Sequence, residues 1–279
     1  MWDQLIKNPL EFGSRHAIRA IAGTLPKSKE VGEYRNGGAP VKQYEVESTP
    51  YYCESIELSD NLVTFTVEPD GDKKMPCYYL PWGGHRVYRM RLESKTVPRV
   101  FFTAPLDGCS VVVEGNVMLP NVYHANACGT LADESPMGDP SCLEKVALHV
   151  LTERNKVMFG ACESFPANWN AWYLQHQRQF PDLIQSAGAV TPLEYGVLIG
   201  RASAGQELKA ALSQPAVARQ LMKSQKFVKS TGTVFGVLDD EERWHFYMQR
   251  VIELESGACA VLRCIEFWPK GFNRPLDVP

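Results

Sequence analysis

The chain has 279 residues, 44% of them hydrophobic and 22% charged, with a formal net charge of −3. This is ordinary composition for a globular protein, with material for one large core or two small ones. The slight acidity argues against non-specific binding to nucleic acid or to an anionic membrane surface, and no run of about eighteen apolar residues exists to form a transmembrane helix.

Residues 1–24 carry apolar positions at Leu5, Ile6, Leu10, Ala17, Ile18, Ala20 and Ile21 and read as partly helical, broken at Pro9 and Gly13. Residues 25–42 are polar and rich in Lys, Gly, Glu and Pro, which reads as a loop or linker. The chain therefore divides into an N-terminal segment, 1–42, and a main domain, 43–279. The segment is either a secretion or chaperone-binding element or a helix packed on the domain. Its opening run, Met1 to Lys7, has no basic stretch followed by an apolar one, so a Sec signal peptide is not expected. Export by another bacterial machine stays open.

From residue 43 the pattern turns to strands. Gln43 to Ser48, Ser55 to Leu58, Leu62 to Val67 and Tyr78 to Pro81 are short and rich in β-branched or aromatic residues. Turn signals separate them at Ser59-Asp60-Asn61, Pro69 to Asp72 and Gly83-Gly84. Val87 to Leu92 alternates, with Val87, Arg89 and Arg91 on a wet side and Tyr88, Met90 and Leu92 on the other. Residues 129–140 form a loop after His124. Ser141-x-x-Glu144 is a capping box ahead of a helix with Leu143, Val146, Ala147, Val150 and Leu151 on one face. Residues 157–200 are aromatic and irregular, and 205–225 read as a helix pair broken at Pro215. Thr231 to Leu238, Trp244 to Leu254 and Ala258 to Trp268 form an antiparallel meander that can complete the sheets begun earlier. Many short strands with close turns predict an α+β fold, a β-sandwich of two mixed sheets flanked by helices.

The most informative stretch runs from Val100 to His124. Phe101 and Phe102 end a strand, Pro105, Asp107 and Gly108 supply a tight turn, and Ser110 to Val113 begins a buried strand. Cys109 leaves a glycine turn, where neighbouring backbone N–H groups are not all committed to a sheet. Gly115-Asn116 is a hairpin signal of the glycine-first type. That turn would set Glu114 opposite Val117 and Cys109 opposite Val122, making His124 a diagonal neighbour of Cys109 on one face. A thiol beside an imidazole is the minimum for an activated cysteine nucleophile. The plainer alternative is a small core cysteine and a strand histidine.

Eight cysteines are scattered at 53, 77, 109, 128, 142, 162, 259 and 264, with no Cys-x-x-Cys pair and no histidine-rich cluster. This favours thiols in a reducing cytosol over a disulfide framework or a closed zinc site. Cys109, Cys128 and His124 would be a sparse set of metal ligands. No metal and no cofactor are expected.

At these residues the chain resembles a family. Leu80-Pro81-Trp82, Phe101-Phe102-Thr103, Leu106-x-Gly108-Cys109 and Val122-Tyr123-His124 are similar, in order and spacing, to the Burkholderia lethal factor type of glutamine deamidase toxin. A more distant similarity runs to the cytotoxic necrotizing factors and to the chemotaxis receptor deamidase CheD. The resemblance covers about fifty residues, 77 to 126. It departs in having Asp107 in the turn and a longer Cys-to-His interval, in which it is closer to the necrotizing factors. It implies that Cys109 is the nucleophile, His124 the base and Thr103 the residue that orients the base. Backbone N–H groups of Gly108 and Cys109 would be the oxyanion donors. It further implies a monomeric toxin that leaves a bacterium without a Sec signal and deamidates a host protein. A transglutaminase, a cysteine protease or a non-catalytic adaptor on the same fold are the rival readings.

Overall fold

The structure, a computed structural model, describes residues 1–34, 41–59, 62–71, 74–84, 86–93, 97–107, 109–126, 187–190, 227–254 and 259–269. Gly108, Cys128, Cys142 and Cys162 lie outside the described residues. So do the loop 129–140, the capping-box helix, the helix pair 205–225 and most of 157–200.

Two short helices open the chain, α1 (Trp2–Lys7) and α2 (Pro9–Arg15). Pro9 sits at the first turn of α2, where its missing N–H costs nothing. Fourteen strands follow among the described residues: β1 (Ala17–Ala22), β2 (Ser28–Tyr34), β3 (Val41–Val46), β4 (Tyr51–Ser59), β5 (Leu62–Glu68), β6 (Met75–Leu80) and β7 (Arg86–Arg91), then β8 (Val100–Thr103), β9 (Ser110–Asn116), β10 (Leu119–Asn126), β11 (Ala187–Val190), β12 (Phe227–Leu238), β13 (Trp244–Leu254) and β14 (Cys259–Trp268). They form an eight-stranded sheet, β1-β5-β4-β6-β8-β12-β13-β14, and a six-stranded sheet, β11-β9-β10-β7-β3-β2. Both are mixed. β1 runs parallel to β5, β6 to β8 and β3 to β7, while the remaining neighbours are antiparallel. The molecule is β-rich with few helices among the described residues, and no described helix is long and apolar enough to cross a membrane.

Three layers result. One face of the eight-stranded sheet packs on the six-stranded sheet through Tyr78, Leu80, Phe101, Trp244, Phe246 and Trp268 against Tyr88, Met90, Val111, Val113 and Val122. Its other face lies under the helices, with Leu5 and Phe12 set among Phe65, Phe102, Phe235 and Tyr247. Each such side chain buried contributes about 1.5–3 kcal/mol of transfer free energy. Five described cysteines, at 53, 77, 109, 259 and 264, carry thiols rather than disulfides.

The eight-stranded sheet curls until its first strand meets its last hairpin. Ile18 in β1 donates its N–H to Gln249 Oε1 in β13 at 2.9 Å and accepts from Thr233 Oγ1 in β12 at 2.8 Å. Gln249 also donates from Nε2 to the carbonyls of Gly13 and, at 2.7 Å, His16. One buried side chain thus ties the end of α2, the start of β1 and the C-terminal hairpin together.

Two expectations change. Ala17 to Ala22 is a strand rather than part of a helix, because Ile18 and Ala20 point inward at a spacing of two while Ile21 is exposed. Ser28 to Tyr34 is a strand paired with β3 rather than part of a linker, and its irregularity falls between Glu30 and Gly32. β1 and β2 therefore place parts of the N-terminal segment inside the two sheets.

Candidate active site

The chain changes sheets between β8 and β9, and Cys109 lies at that crossing. Leu106 pins it, exchanging two backbone hydrogen bonds with Gly232 of β12 at 2.7 and 2.9 Å. Cys109 then enters β9 with its side chain among the residues between the sheets, and it is only 2% exposed.

The β9–β10 hairpin does not turn at Gly115-Asn116. Its ladder pairs Asn116 with Leu119 and places Val117 and Met118 at the tip. Asn116 Oδ1 accepts the Met118 N–H at 2.8 Å, and this local side-chain bond selects the later turn. Gly115 has φ +92°, and its conformational freedom is used inside the strand rather than at the bend. The register moves accordingly. Val122 faces Val113, His124 faces Val111 and Ala125 faces Ser110, so Cys109 meets Asn126. His124 remains a diagonal neighbour of Cys109 on one face, from the other side than the sequence implied.

His124 sits mid-strand on β10, between Val111 of β9 and Tyr88 of β7, and is 1% exposed. Among the described residues neither ring nitrogen has a hydrogen-bond partner. Burial pulls its pKa down to about 4, and the Leu80 backbone carbonyl near the ring offsets only part of that. The imidazole is therefore neutral at ordinary pH, the state a general base requires.

Thr103 closes β8 in the opposite sheet, paired with Leu80 of β6. It is fully buried, and its hydroxyl donates to the Val234 carbonyl at 3.3 Å rather than to the His124 ring. The same Leu80 carbonyl that lies near the imidazole accepts the Ala104 N–H at 3.0 Å. The fold thus brings Cys109 and His124 onto one face and sets Thr103 across from them, next to Leu80. Gly108, the other expected oxyanion donor, is outside the described residues.

Asn126 was not singled out in the sequence. Its Nδ2 donates to Cys109 Sγ at 3.3 Å, and it is buried. It follows His124 by two residues, so strand alternation puts it on the same face, and only the correct hairpin register reveals it opposite Cys109. Beyond Asn126 in the same row comes Arg86 of β7, which is exposed. Its guanidinium lies 5.2 Å from the Tyr44 ring centroid and donates to Tyr88 Oη at 3.0 Å. Gly83 passes close above, where a Cβ would lie 2.9 Å from Arg86 Cδ and 3.2 Å from Tyr88 Oη. In the tripeptide that carried the resemblance, Leu80 and Pro81 are buried and Trp82 is half exposed. The Cys109–Asn126 row is thus the last described buried row of β9 and β10, beside the exposed Arg86. No protein-family model matches the chain, and no curated protein matches it significantly.

Proposed function

We propose that the chain is a cysteine hydrolase that converts a glutamine side chain of a protein to glutamate, on a fold of the deamidase-toxin type. The observation that supports this best is a thiol and a neutral imidazole sharing one strand face. In the reaction His124 takes the thiol proton and Cys109 Sγ attacks the carboxamide carbon. The C=O electrons move onto oxygen, where backbone N–H groups at the Gly108–Cys109 turn would be the stabilising donors. One such donor is worth roughly 10²–10³ in rate. The intermediate collapses, the imidazolium gives its proton to the leaving nitrogen, and ammonia departs. Water then adds to the thioester with His124 as base, releasing glutamate and restoring the thiol. In biological terms this is a bacterial effector acting on a host protein. Attack on the same thioester by an amine instead of water would make it a transglutaminase.

A second reading is favoured by the closure of the site. Cys109 is 2% exposed and the His124 ring nitrogens have no partner among the described residues, as in a core that merely retains both residues. In that case the protein is a binding module. One experiment separates the two. The chain and its Cys109→Ser variant are incubated with eukaryotic lysate, and glutamine-containing peptides are searched for the mass gain of amide-to-acid conversion. The serine variant should stay folded, since the side chains are nearly isosteric, and should lose all conversion. Conversion by both proteins, or by neither, removes the deamidase reading. Incorporation of an added primary amine in place of water identifies the transglutaminase.

A further inference from the structure

We propose that Asn126 is a further catalytic residue of this site, its side-chain N–H holding the Cys109 sulfur in the charged, nucleophilic form. The proposal rests on the Cys109–His124 reading and adds a third group to it. Its ground is geometric. The Asn126 carboxamide donates to Sγ at 3.3 Å, and both residues are buried, at 4% and 2% exposure. The two residues stand one step beyond the Ala125–Ser110 pair that ends the β9–β10 ladder.

Chemistry gives the contact its direction. A neutral thiol is a weak acceptor, whereas a thiolate accepts strongly. A donor fixed on sulfur therefore gains most when the S–H bond breaks. The proton passes to a ring nitrogen of His124, the electron pair stays on sulfur, and the Asn126 N–H then faces an anion. His124 and Asn126 divide the work, one removing the proton and the other keeping the charge. The imidazolium and the thiolate form together, each offsetting the burial penalty of the other.

The surroundings let the effect be read. Among the described residues, the titratable or charged groups on the same sheet face are His124, Tyr88 and Arg86, with Tyr44, Lys42 and Glu30 on the next strands. The facing strands β6 and β8 present Tyr78, Leu80, Phe101 and Thr103 to this core, of which only the Tyr78 phenol titrates.

The test is a pH titration of thiolate ultraviolet absorbance on the full chain. Subtracting the Cys109→Ser variant isolates Cys109 from the other cysteines. The unaltered chain should show its inflection below the ordinary cysteine value of about 8.5. Asn126→Ala should raise it by about one unit, and Asn126→Asp further, because a carboxylate beside sulfur opposes the thiolate. Iodoacetamide labelling of Cys109 at a pH between the two inflections should slow about tenfold in Asn126→Ala. Should Asn126→Ala fail to fold, Asn126→Leu, near in volume and lacking a donor, carries the same measurement. Equal inflections with and without Asn126, in folded proteins, overturn the proposal. So does an inflection in the unaltered chain at or above the ordinary value. A Cys109→Ser variant that still deamidates removes the underlying reading instead. An inactive Cys109→Ser variant alongside an Asn126→Ala that titrates normally removes only the role of Asn126.

Discussion

His124 and His245 answer pH in opposite senses. Burial lowers the His124 pKa to about 4 from an ordinary value of 6.5. A depressed histidine means that the unfolded chain binds a proton the folded one refuses. Its neutral form supports the fold above about pH 6.5, and that support drains away as pH falls towards about 4, by a total of about 3 kcal/mol. His245 is held between two carboxylates, with Nδ1 2.7 Å from Glu266 and Nε2 3.0 Å from Asp239. The Glu266 hydrogen bond above all, against burial and with Asp239 behind it, raises its pKa. Its stabilisation is complete below about pH 6.5 and is lost as pH rises through the folded value. Melting temperatures across about pH 4–8 test both signs. His124→Phe should flatten the acid-side loss, and the cost of His245→Gln should be greatest near about pH 5–6 and shrink as pH rises past about 6.5. If the Cys–His reading holds, the acid limb of kcat/KM should also fall well below the ordinary histidine range. That Cys109 and His124 share a strand face was readable because strand alternation is a local signal. Asn126 was not, because its partner depends on where the hairpin bends, and the bend was decided by the Asn116 side chain rather than by the glycine.

At the scale of elements, β5 to β10 fall near the stretches that the sequence marks as strands, β4 begins four residues earlier, β11 falls in a stretch that reads as irregular, and the C-terminal meander joins the earlier strands by pairing β12 with β8. Asp239 accepts the backbone N–H groups of Glu241 and Arg243, at 2.9 and 2.8 Å, and so forms the β12–β13 turn. β1 was misread because Ile18, Ala20 and Ile21 satisfy a helical spacing as well as a strand one, and only the parallel ladder with β5 decides between them. Gln249 is the residue on which the placement of β1 and α2 converges. Gln249→Leu would leave the Ile18 N–H and two carbonyls without this partner in a buried setting, at roughly 1–3 kcal/mol for each group left unsatisfied. Urea denaturation should show a loss of about 3 kcal/mol or more. Hydrogen exchange should show the Ile18 amide, normally protected, opening first. A loss below about 1 kcal/mol would mean that water replaces the glutamine without strain.

At the scale of the molecule, α1 and α2 are part of the core. Leu5 and Phe12 cover the outer face of the eight-stranded sheet, and Gly13 packs so closely on β14 and β12 that a Cβ would lie 2.7 Å from Cys264 Sγ and 3.0 Å from Phe235 Cζ. A chain begun at Ala17 should bind hydrophobic dye and lose its cooperative melt. A sharp melt in that truncation would show that the helices are an ornament on a self-sufficient sandwich. The two mixed sheets were readable from the run of short strands, but the closure of β1 and α2 on the last hairpin was not, because it joins positions more than two hundred apart in the chain, where no local pattern reports. Such wiring gives high contact order, so folding should be slow relative to a helical protein of this size.

The side-chain closure at Ile18 also bears on how copies of the chain treat one another. β1 is the edge of its sheet, and an edge strand offers unpaired N–H and C=O groups to any extended segment that arrives. At Ile18 both groups are already occupied, by Gln249 and Thr233. The outward row at that point is a blunt end on which no foreign strand can begin to register. Removing either side chain would uncover a nucleus for strand addition, and aggregation at high concentration would then outrun any loss of stability.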